Sequence, residues 1–62
     1  MKISFDVNIE NTIAFSEILV ENDIKNKIVD VDADSEIISI DVNFNSDNKG
    51  FIQELMDLAE VE

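Results

Sequence analysis

Around Asp34 and Ser35 the apolar residues of this chain change parity. Before that point Val29, Val31 and Ala33 are odd-numbered, with Asp30, Asp32 and Asp34 between them. After it Ile38, Ile40, Val42 and Phe44 are even-numbered, with Ser39, Asp41 and Asn43 between. Successive side chains of a strand point to opposite faces, so each run reads as a strand with one wet face. The two apolar sets can share one face only if a tight turn joins them. Val31 then faces Ile38, Val29 faces Ile40, and Asp30 faces Ser39. A slip of one residue would turn aspartates into the core. Either Asp34-Ser35 as a two-residue turn or a four-residue loop from Ala33 to Glu36 keeps this pairing.

The same alternation opens the chain. Ile3, Phe5, Val7 and Ile9 fall on one side and Lys2, Ser4, Asp6 and Asn8 on the other. Alternation then fails. Asn11 and Thr12 can cap a helix over the run IAFSEILVEND. At helical spacing Ala14, Phe15, Ile18 and Leu19 form one stripe. Ile13, Val20 and Ile24 form a second on nearly the opposite side, with Glu17 and Glu21 along one flank, unless Ile24 already lies in the following loop. A surface helix ordinarily carries one apolar stripe. The second is expected to be covered by the rest of the domain or by another subunit, which makes Ile13, Val20 and Ile24 candidate oligomer contacts. Near the other end, Asn45-Ser46-Asp47 offers a cap. Phe51, Ile52, Leu55, Met56, Leu58 and Ala59 follow at helical spacing, with Gln53, Glu54, Asp57 and Glu60 opposite.

The stretch DVDADSEIISID, Asp30 to Asp41, also resembles an EF-hand calcium loop of the dockerin type. Asp30, Asp32 and Asp34 fall at loop positions one, three and five, Ile37 at the eighth and Asp41 at the twelfth. Oxygen ligands at that spacing suit calcium. Three departures count against it. Ser35 stands where the loop needs glycine for a positive φ. KNKIV before Asp30 is not an entering helix, and strand alternation continues past Asp41. The hairpin explains the parity change and the calcium loop does not, so no metal site is expected.

The 62 residues make one small acidic domain, 1–62. A core of this size gives marginal stability. With no Cys and no His, neither a disulfide nor an ordinary zinc site can reinforce it, which leaves oligomerisation. Fifteen acidic residues face four lysines, a formal charge of −11. Such a chain repels nucleic acid and anionic membrane and attracts basic surfaces. It is 45% hydrophobic, enough to fold rather than stay disordered. No run is long enough to span a membrane, and MKISFDV lacks a signal peptide's apolar stretch. A cytoplasmic protein is expected, in the host cytoplasm if phage-encoded.

The elements run β-α-β-β-α, an α+β chain. The expected solution is a three-stranded sheet, order 1-3-2, with two helices on one face. It resembles the ferredoxin-like split βαβ lacking its last strand, so the first strand is expected to keep a free edge. That architecture carries no function by itself. The other sheet face collects Asp6, Asp30, Asp32 and Asp41 among Ser and Asn. These are the candidate partner-binding residues. No catalytic residue or cofactor is expected, because an open face gives no pocket in which to shift a pKa or exclude water. The expected function is a small acidic interaction module or inhibitor that occupies a basic, nucleic-acid-binding surface of a partner protein. An anti-CRISPR or other phage-encoded inhibitor of a host enzyme is an example. The alternative is a structural homo-oligomer, a homodimer in the simplest case, or a subunit of a larger assembly, whose charge serves only solubility.

Overall fold

The computed structural model describes all residues, 1–62. The elements are β1 (Lys2–Asn8), α1 (Thr12–Glu21), β2 (Asn26–Asp32), β3 (Ile37–Asn43), α2 (Ile52–Leu58) and β4 (Glu60–Val61). One antiparallel sheet runs β2-β3-β1-β4. The expected order 1-3-2 lies inside it, but the sheet has four strands rather than three. The helical spacing read through Ala59 and Glu60 ends earlier. α2 stops at Leu58, Ala59 is extended at φ −153°, and β4 pairs Val61 with Phe5 and Glu60 with Asp6. The edge expected to be free on the first strand is thus partly covered by the chain's own last residues. The sequence of elements is that of the whole split βαβ, with Glu60–Val61 in the place of its last strand.

One sheet face carries the core. Phe5, Val7, Ile40 and Val42 from the two central strands meet Phe15 and Leu19 of α1 and Leu55 of α2. The Phe5 ring packs edge-on against Phe15, centroids 5.3 Å apart, and against Phe44 at 6.4 Å. Such contacts add stabilisation beyond area burial. Every core residue of the sheet comes from β1 or β3 or directly follows β3. All seven residues of β2 are exposed.

Local bonds set the element ends. The Asn8 side chain accepts from the Glu10 N–H at 3.1 Å and opens a 3₁₀ turn, Ile9–Asn11, ahead of α1. Asn11 holds the N-cap position of α1 as expected, but its side chain makes no capping bond there and donates its amide to the carbonyl of Leu58, at the end of α2, at 3.2 Å. α1 ends in a Schellman arrangement. Ile24 N–H donates to the Leu19 carbonyl at 2.9 Å and Asp23 N–H to that of Val20 at 3.3 Å, with Asp23 left-handed at φ 52°. That turn swings Ile24 inward until only 3% of it is exposed. Ile24 therefore belongs to the core and separates from Ile13 and Val20, which stay 75% and 78% exposed on the outer side of α1.

Between β2 and β3 the chain takes the four-residue loop, 33–36. Asp32 Oδ1 accepts from the N–H groups of Asp34 and Ser35 at 3.1 and 3.2 Å, and Glu36 is left-handed at φ 57°. Val31 faces Ile38 and Asp30 faces Ser39, as the parity change requires. Beyond them a β-bulge at Val29 shifts the register, so Ile28, not Val29, faces Ile40. The Asp30 to Asp41 stretch is therefore strand, turn and strand.

Candidate functional site: the open face of the sheet

The face away from the helices is laid out in rows across the strands. One row runs Glu60, Asp6, Ser39, Asp30 through all four strands. It holds three carboxylates and one hydroxyl, and Ser39 Oγ donates to Asp6 Oδ1 at 3.0 Å. The next row runs Ser4, Asp41, Lys27, with the Glu62 N–H donating to the Ser4 carbonyl at its outer end. On the far side of the first row lie Asn8, Ile37 and Asp32. At the opposite end Lys2 faces Asn43, and the Asn43 N–H reaches the Lys25 carbonyl at 2.8 Å.

The face is graded as a result. Carboxylates crowd one end and three of the chain's four lysines, Lys2, Lys25 and Lys27, gather toward the other.

The four aspartates expected there all lie on this face, in different roles. Asp6 and Asp30 share the acidic row. Asp41 lies in compensated surroundings. Ser4 Oγ donates to its Oδ1 at 2.5 Å, Lys2 Nζ lies 3.5 Å from its Oδ2, and Lys27 is its neighbour on β2. Its carboxyl is held below the usual aspartate range, first by the Ser4 hydroxyl and then by Lys2 and Lys27, against partial desolvation. Asp32 spends one oxygen on the turn. Asp30 Oδ1 accepts from the Val31 N–H at 3.0 Å.

Two acidic members are absent from the expected set. Glu60 stands directly opposite Asp6. Glu62 is pushed above the usual glutamate range by the Asp6 carboxylate, which shares a proton with it and repels its charge, with Asp41 and Asp30 adding to the field. The signal for both is the short alternation Glu60-Val61-Glu62, strand-like at the end of a helical run.

At the acidic end a depression of about 490 Å³ opens between β1 and the α2–β4 corner. Asp6, Asp57 and Glu60 rim it, and Ile37, Met56 and Leu58 supply apolar surface. Nowhere do three carboxylates converge as ligands for a metal ion. No helix is long and apolar enough to cross a membrane.

No protein-family model matches the chain, and no curated protein or solved structure is similar to it at a significant level. Its functional reading therefore rests on the geometry of this face.

Proposed function

We propose that this chain is a small acidic binding module whose open sheet face occupies a basic, nucleic-acid-binding surface of a partner protein. The row Glu60, Asp6, Ser39, Asp30 carries the reading. Charge needed only for solubility is best scattered, because like charges directly opposite one another destabilise a sheet. This chain instead stacks Glu60 on Asp6 and adds Glu62 beside them, while three of its four lysines stand toward the other end of the face. A field concentrated in this way steers a cationic surface and orients it. The depression beside the row suits a lysine or arginine side chain of that surface, with apolar atoms along the stem and carboxylates around the head. Such a module acts by competition with nucleic acid, a mode that suits a phage-borne inhibitor of a host enzyme.

The test compares two equal charge losses. Asp6→Asn with Glu60→Gln removes two charges from the row and keeps the acceptor for Ser39. Glu17→Gln with Glu54→Gln removes two from exposed helix positions. Each protein is used as bait in native lysate, and captured partners are challenged with duplex DNA and with salt. The expected result is a nucleic-acid-binding partner that DNA displaces. The row variant should associate about tenfold more slowly at low salt, and the helix variant should match the parent. Equal losses in both variants would show a diffuse field and no site on this face.

A further inference from the structure

The outer edge of β2 is open along its whole length, and its charges are ordered. Lys25 and Lys27 precede Ile28 and Val29, and Asp30 and Asp32 follow. In a regular strand the odd lysines and the even aspartates would lie on opposite faces. The bulge at Val29 removes that difference. Lys27 faces Asp41, Asp30 faces Ser39 and Asp32 faces Ile37, all on the open side of β3.

The backbone of β2 is as specific. Ile9 N–H donates to the Glu36 carbonyl and Phe44 N–H to that of Met1, so the even residues of β3 turn their backbone toward β1. The odd ones turn theirs toward β2, where they meet Lys27, Asp30 and Asp32. By the alternation of an antiparallel ladder, Asn26, Ile28 and Val31 turn their N–H and C=O groups outward.

We infer that two copies of this chain pair through β2, antiparallel, about a two-fold axis at Ile28. In that register Ile28 meets its own copy and Asn26 meets the partner's Val31. Every outward N–H of these residues then finds a carbonyl. On the open face Lys27 meets the partner's Asp30 and Lys25 meets the partner's Asp32, and symmetry repeats both pairs. A strand that is positive in its first half and negative in its second is self-complementary only when run antiparallel to itself. Moving the axis to the bulge would instead set Asp30 against its own copy. Pairing also reassigns one bond. The Val31 N–H, held by Asp30 Oδ1 at 3.0 Å in the single chain, passes to the partner's Asn26 carbonyl and frees Asp30 for Lys27.

A second copy is the occupant that the charges select. With a net charge of −11, two chains repel each other everywhere except where lysine meets aspartate. The sheet's other edge, β4, carries Glu60, and Glu62 directly follows it, so that edge is acidic. Pairing through β2 covers Ile28, Val29 and Val31, which are 56%, 48% and 58% exposed in the single chain.

Sedimentation equilibrium tests the pairing. The parent should dimerise in the micromolar range. Asp30→Lys decides between pairing and general repulsion. It makes the chain less negative by two charges, so simple repulsion predicts a tighter dimer, whereas β2 pairing sets it against Lys27 and predicts one weaker by about tenfold or more. Lys27→Asp combined with Asp30→Lys should restore the parent affinity. Ile28→Pro removes an outward N–H, so it should abolish the dimer and leave the monomer's circular dichroism intact. The inference is overturned by a chain that stays monomeric to millimolar concentration or takes up only an unrelated protein's strand. It is overturned equally by a dimer that Asp30→Lys tightens, or by one that the combined exchange fails to restore.

Discussion

Glu60 lies directly opposite Asp6 across the β4–β1 pair, so the last strand docks by setting one carboxylate against another. Glu62 adds a third, and its carboxyl is raised above the ordinary range by Asp6. The folded chain therefore takes up a proton at Glu62 more readily than the unfolded chain does. Stability rises as pH falls through the range just above ordinary glutamate titration, and it is lost as pH climbs back through that range. Asp41 works the other way. It contributes stability above the ordinary aspartate range and loses it as pH falls below that range. Thermal stability should therefore be higher in mild acid than at neutral pH, and fall again in stronger acid as Asp41 is protonated. Glu62→Gln should raise the melting temperature at neutral pH and flatten the rise toward mild acid. A melting curve at pH 7 unchanged by Glu62→Gln would remove the basis for this account.

Asp23 holds the left-handed position that closes α1, where helices ordinarily place glycine. Its charge also sits at the negative end of the helix dipole. Asp23→Gly should stabilise the chain by about 0.5–1 kcal/mol, the left-handed penalty less the entropy glycine returns to the unfolded state. In a domain of this size that is a rise of several degrees in melting temperature. Asp23→Asn separates the contributions, since it removes the charge and keeps a side chain that tolerates the conformation. Denaturant titration of the three proteins checks the order Gly, Asn, Asp.

Asn48 is the buried polar residue of the fold, 8% exposed. Its Oδ1 accepts from the Asn45 N–H at 2.8 Å, and Asn45 Oδ1 accepts in return from the N–H groups of Asp47 and Asn48. This reciprocal pair sets the chain's path from β3 into α2. Asn48→Ala strands the Asn45 N–H in a half-dry site and should cost about 1–3 kcal/mol. Asn48→Asp keeps the acceptor and should cost less. Chemical denaturation would show a comparable loss in both if the side chain served only to fill space.

What the sequence discloses of this fold follows what burial enforces. Phe5 and Val7, and then Ile40 and Val42, alternate because one face of β1 and β3 is dry. That alternation makes both strands and the Val31–Ile38 rung readable. The bulge at Val29 escapes notice for the converse reason. Nothing covers β2, so its apolar residues impose no register, and the regular and bulged readings look alike. β4 is hidden because Leu55, Leu58 and Ala59 continue the helical spacing with neither glycine nor proline to end it. What ends α2 is the Asn11 amide, which reaches it from 47 residues away. Glu60 and Glu62 are hidden with β4 as members of the acidic face. Ile24 misleads for a similar reason, since helical spacing carries it onto the outer stripe until the left-handed Asp23 reverses the chain.

The bareness of β2 also divides the chain by how much substitution it can absorb. Phe5, Val7, Ile40 and Val42 answer to packing, and a change at any of them is paid in folding. None of the seven side chains of β2 is buried, so packing vetoes almost nothing there. Sequence drift in β2 is thus judged mainly by what docks against it, and that strand can track a changing partner while the strands beside it stay fixed.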